Sequence, residues 1–89
     1  MRVAQSIERK LTEALKPDKL EITDESARHE GHAGARPEGE SHFHVMIVSA
    51  EFDGKSRLER QRLVYRVLAD DMKSDIHALA LTCQAPGEA

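Results

Sequence analysis

Val3, Ile7, Leu11, Ala14 and Leu15 recur at helical spacing, with Gln5, Glu8, Arg9 and Lys10 between them. That pattern predicts an amphipathic first helix, and Pro17, which lacks an amide hydrogen and restricts the residue before it, closes the segment. The period then drops to two. Leu20 and Ile22 alternate with Glu21 and Thr23 as a short half-buried strand, and Phe43, Val45 and Ile47 alternate with His44 and Met46 as a second. One face of the second strand is more polar at its start, which predicts helices on one side only. Between the two strands, residues 25–41 set Gly31, Gly34, Pro37 and Gly39 among polar neighbours and read as a long exposed loop. Loops of this length in small domains are chiefly functional or disordered.

Past the second strand, Phe52-Asp53-Gly54 reads as a turn. Ser56 stands three residues before Glu59, the spacing of a capping box, and so starts the next helix. Leu63, Val64, Val67 and Leu68 supply its buried stripe. A further helical turn containing Met72 follows, and Ile76 to Cys83 form the last strand, with Leu79 and Leu81 in the core. Pro86 and Gly87 among small residues mark 84–89 as a flexible tail. The expected order is α-β-β-α-α-β: a single α+β domain over residues 1–89, with a three-stranded sheet and a core of about 3–83.

Composition sharpens that picture. With 89 residues and only 3% aromatics, one small core must be built from Leu, Ile, Val and Ala. The lone Cys83 excludes an internal disulfide and suits a reducing compartment; among small apolar neighbours it reads as a structural thiol. No apolar run follows Arg2, so neither a signal peptide nor a membrane span is expected, and the expected location is cytoplasmic. A formal charge of −3 argues against a general nucleic-acid binder. Phosphate-loop and dinucleotide glycine patterns are absent, and Ser26, Ser41, Ser49 and Ser56 suit turns and caps better than nucleophiles. The chain is expected not to be an enzyme.

The candidate chemistry lies in five histidines. His29 and His32 stand three apart in the glycine-punctuated loop, His42 and His44 two apart at a strand start, and His77 far downstream at the opening of the last strand. Neutral imidazole is a good ligand for borderline metals. His44 reads as an ordinary strand residue, and His42, beside Phe43, as a group holding the loop backbone. His29, His32 and His77 could together make an open mononuclear zinc site, although no carboxylate is convincingly placed as its base. The plain alternative is that these side chains are solvated polar residues.

A second cluster is basic: Lys55, Arg57, Arg60, Arg62 and Arg66 surround the second helix. At about 100° per residue, Arg62 and Arg66 fall opposite Leu63, Val64 and Val67, whereas Arg60 falls on the apolar side, where its stem can pack while its head reaches outward. Only part of the cluster can therefore track a phosphate backbone. Glu59, Asp70, Asp71 and Asp75 can balance the charge of a solvated helix face, and an acidic protein partner is a third possibility.

Several blocks, in this order and spacing, resemble the BolA family: Asp24-Glu25-Ser26, Gly39-Glu40-Ser41-His42-Phe43, Ile47-Val48-Ser49, the Arg57-to-Tyr65 run ending Arg62-Leu63-Val64-Tyr65, and Ile76-His77-Ala78-Leu79. The resemblance covers about Ile7 to Leu81. It implies a fold similar to the class II KH arrangement, but the helix pair lacks the Gly-x-x-Gly clamp, so RNA binding does not follow. It also implies a monothiol glutaredoxin as partner and a shared [2Fe–2S] cluster, used in iron–sulfur cluster trafficking or iron regulation. Such a cluster needs four ligands, and a chain with one remote cysteine leaves half of them to others. In the family, glutaredoxin cysteine and glutathione fill one side. On this side the resemblance implies His77 and a loop histidine, either His29, which keeps the distance from Asp24-Glu25-Ser26, or His32 in Gly31-His32-Ala33-Gly34. The family has also been treated as transcriptional regulators resembling helix-turn-helix proteins, which implies Arg62, Arg66 and Lys73 on DNA phosphates. Many relatives carry histidine where this chain has Gln61, so a role for that side chain does not transfer.

Overall fold

The first helix, α1 (Arg2–Leu15), turns Val3, Ile7, Leu11 and Leu15 inward, none more than 3% exposed. The computed structural model describes residues 2–25 and 42–88, with Arg2 described by its backbone alone. Ala14 departs from the expected stripe and is exposed. Its one methyl has little area to bury, and the chain leaves helical geometry two residues later. There Lys16 takes the left-handed conformation (φ 45°) while its amide donates to the Thr12 carbonyl at 3.1 Å, and Pro17 prevents continuation.

Three strands follow the predicted order: β1 (Lys19–Asp24) and β2 (His42–Val48), then β3 (Ala78–Gln84) after two helices, α2 (Arg57–Val67) and α3 (Ala69–Ser74). The sheet order is β1-β2-β3, with β1 antiparallel and β3 parallel to β2. A parallel neighbour requires a crossover connection, which α2 and α3 supply. Register puts Leu20 opposite Ile47 and Ile22 opposite Val45, and then Phe43, Val45 and Ile47 opposite Leu79, Leu81 and Cys83. All of these belong to the face the helices cover, where Ile7, Leu11, Phe43, Phe52, Val64 and Leu68 are central. His42, His44 and Met46 belong to the other face and are half-buried, as the one-sided packing predicted.

Caps hold the connections. Ser56 accepts the Glu59 amide at 3.1 Å while the Glu59 carboxylate accepts the Ser56 amide at 2.7 Å, the predicted capping box. Those bonds to Ser56 hold the Glu59 carboxyl below its ordinary range. Ser49 is fully buried; its hydroxyl donates to the Leu15 carbonyl at 2.6 Å and accepts the Glu51 amide at 3.1 Å.

The C-terminal end is more built than a flexible tail. Gln84 lies in β3, Ala85 is only 2% exposed, and Glu88 receives a two-pronged bond from Arg60 (Nη1–Oε1 2.6 Å, Nη2–Oε2 2.9 Å). The core therefore extends past residue 83. Composition could not show this, because Glu88 pairs with a cation that sequence distance separates from it.

Candidate metal-ligating site

His77 is delivered by its neighbours. Asp71, read from sequence as a solvated charge, is instead 7% exposed; its carboxylate accepts from Lys10 Nζ at 2.9 Å and Ser6 Oγ at 3.1 Å. The Asp71 carbonyl accepts the amides of both Asp75 and Ile76 at 2.9 Å, ending α3 on two bonds. Ile76 then buries its side chain (5% exposed), and the next residue, His77, emerges into solvent just ahead of β3. Tyr65 on α2 donates its hydroxyl to the Leu79 carbonyl at 3.0 Å, tying the start of β3 to the helix.

The sheet brings His42 to the same place. It opens β2 opposite Ala78, and its ring lies near-parallel to that of His77, with centroids 6.0 Å apart and planes 12° apart. The Glu25 amide donates to the His42 carbonyl at 2.7 Å, so both ends of the segment carrying His29 and His32 are fixed at this end of the sheet. His29 and His32 themselves lie outside the described residues. Sequence reasoning gave His42 a loop-holding role and missed its meeting with His77. The available signal was strand parity: once β2 and β3 are paired in parallel, their starts must be adjacent.

The other histidine takes the ordinary role expected of it. His44 Nε2 and Thr82 Oγ1 share a hydrogen bond at 3.0 Å across β2 and β3. Cys83, at the opposite end of β3, is half-buried, and burial pushes its thiol up while Arg60 opposes the shift, as befits an unreactive thiol. Among the described residues no group of three His, Cys, Asp or Glu side chains could hold a metal ion. Among the described residues the candidate donors brought together at this end are the imidazoles of His42 and His77.

The basic cluster divides. Arg60 is drawn inward, its side chain 12% exposed, donating to the Phe52 carbonyl at 3.1 Å as well as to Glu88. Arg62 and Arg66 remain exposed and line a shallow groove with Lys55, Glu59 and Leu63. Lys73 lies on α3 outside that groove.

Helices on one face of a β1-β2-β3 sheet, with an imidazole pair at the end where His77 precedes β3, define a small α+β domain. The family model described as BolA-like protein matches residues 11–88, and the chain belongs to the BolA-like family. SufE-like protein 1, chloroplastic/mitochondrial, of Arabidopsis thaliana is 44% identical over 86 residues, covering 92% of this chain and 23% of that protein. The DNA-binding transcriptional regulator BolA of Escherichia coli (strain K12) is 44% identical over 81 residues, covering 91% of this chain and 73% of the regulator. The solved structure of the BolA domain of SufE1 from Arabidopsis thaliana superposes with a TM-score of 0.86 at 42% identity, covering 99% of this chain and 95% of that one. This chain therefore corresponds to under a quarter of SufE-like protein 1 and to nearly all of its BolA domain. No helix among the described residues is long and apolar enough to cross a membrane.

Proposed function

We propose that this protein binds a monothiol glutaredoxin and shares a [2Fe–2S] cluster with it, as a non-enzymatic carrier or sensor in iron–sulfur cluster trafficking or iron regulation in a reducing cytoplasm. The observation carrying this reading is the exposed His77 beside His42, at the sheet end where the histidine-bearing segment begins and ends. His77 serves as one ligand and His29 or His32 as the other. The glutaredoxin cysteine and a glutathione thiol supply the remaining two of the four positions. Imidazoles in place of thiolates leave the cluster less negative and raise its potential. The chain's own task is to present nitrogens at an open surface, with Asp71, Ile76 and Tyr65 holding the backbone that carries them.

Visible circular dichroism of cluster-loaded monothiol glutaredoxin with glutathione, titrated with this protein, tests the reading. The expected result is a new spectrum saturating at one-to-one and lost with His77→Ala. An unchanged spectrum with the wild-type chain overturns cluster sharing with that partner.

A second reading, DNA binding, is supported by the exposed Arg62 and Arg66 along one groove and by the name of the Escherichia coli relative. Here Arg62→Ala with Arg66→Ala weakens binding and reduces its salt slope by about one for each phosphate no longer neutralised, and His77→Ala leaves it unchanged. Lys73, apart from the groove, contributes less.

A further inference from the structure

We infer that His42 is a positioning residue for His77: its ring packs against the His77 imidazole and sets the direction in which that imidazole is presented. The inference rests on the proposed ligand role of His77 for its consequence, though not for its geometry. The near-parallel rings, with centroids 6.0 Å apart, fall within the range of offset-stacked aromatic pairs.

The two side chains are held very differently. His42 belongs to β2, is half-buried, follows the register opposite Ala78, and is flanked by Phe43 at 2% exposure. His77 precedes β3 and is exposed; among the described residues no hydrogen bond or ion pair engages its ring. An exposed imidazole samples several rotamers, and a ligand that must be frozen on binding loses that freedom. A ring fixed in a strand beside it removes part of the loss beforehand. Metal-ligating histidines are commonly oriented by outer-shell neighbours that do not themselves bind the metal. Here the neighbour acts by stacking, and aromatic pairs of this kind are worth a few-fold to about tenfold. His44 cannot take the role: it stands two residues further along β2, and its Nε2 is shared with Thr82.

Stacking needs a flat ring, whereas ligation needs a nitrogen lone pair, so phenylalanine separates the two roles. His42→Ala and His42→Phe are compared first without metal, by three-bond couplings that report the His77 rotamers. Wild type and His42→Phe are expected to favour one rotamer and His42→Ala to average, with the methyl resonances of Val45 and Ile47 unmoved. In the glutaredoxin titration, His42→Ala is expected to bind a few-fold to about tenfold more weakly and His42→Phe to stay near wild type. His77 rotamers indifferent to His42→Ala overturn the inference, as does His42→Phe binding as weakly as His42→Ala. If the rotamers respond but wild type shares no cluster, the positioning stands and the proposed function fails.

Discussion

The β2–β3 ladder ends in two contrasting ways. At its C-terminal end the polar groups are engaged inside the fold: Ser49 bonds to Leu15 and Glu51, its amide donates to the Gln84 carbonyl at 2.9 Å, and Arg60 clamps Glu88. At its N-terminal end His77 is exposed and its ring lies beside another imidazole. Both ends are built from the same two strands, so the difference lies in the side chains placed there. One end converts polarity into stability; the other leaves the His77 ring exposed.

The sharpest test of that contrast is His77→Ala. It is expected to abolish the shared-cluster spectrum while moving unfolding free energy by less than about 0.5 kcal/mol, because the residue is exposed and lies outside the core. Chemical denaturation run beside the dichroism titration reads both. A large stability loss would mean that the open end is structural after all.

Ser49→Ala is the mirror experiment. It removes a fully buried hydroxyl and leaves the Leu15 carbonyl and Glu51 amide without that partner, a loss of about 1–3 kcal/mol. Urea unfolding should show this, with cluster sharing intact at temperatures where the variant remains folded. A variant as stable as wild type would show that the closed end does not depend on its serine.

The two ends were not equally legible in the sequence. Periodicity located α1, β1 and β2, since Val3, Ile7, Leu11 and Leu15 or Phe43, Val45 and Ile47 can bury themselves on one face in only one kind of structure. The 3-10 turn at Ala50–Phe52, where a turn was expected only from Phe52, was not legible. The Ser56–Glu59 box was legible because its partners are three residues apart. Arg60–Glu88, Lys10–Asp71 and His42–His77 join residues brought together by topology, and periodicity carries no information about such pairs. The family resemblance singled out His77 without showing what stands beside it. His29 and His32 lie outside the described residues, so the choice of loop ligand rests with the titration of their variants.

A smaller effect separates the histidines of one strand. His44 and Thr82 share a bond on the open face, so Thr82→Val is expected to cost about 0.5–1.5 kcal/mol and to leave the cluster spectrum unchanged. His42, two residues away, is expected to behave in the opposite manner, with ligation affected more than stability. Equal effects of Thr82→Val and His42→Ala on cluster sharing would erase the distinction drawn between these neighbours.

The smallest effect concerns the closed end and acid. Bonds from Arg60, and then from the Ala85 amide, lower the Glu88 carboxyl from its ordinary 4.5 to about 2. A carboxyl depressed by folding stabilises the native state fully above its unfolded value, and the contribution fades as pH falls from about 4.5 towards 2. Glu88 is exposed to solvent, so screening keeps the effect small and salt weakens it further. Glu88→Gln keeps the shape of the side chain but cannot ionise. The variant should melt below wild type at neutral pH and converge on it across that acid window, with His77-dependent cluster sharing untouched at pH 7. Parallel melting curves for the two proteins from pH 6 to pH 2 would show that the clamp closes this end by packing alone, without its charge.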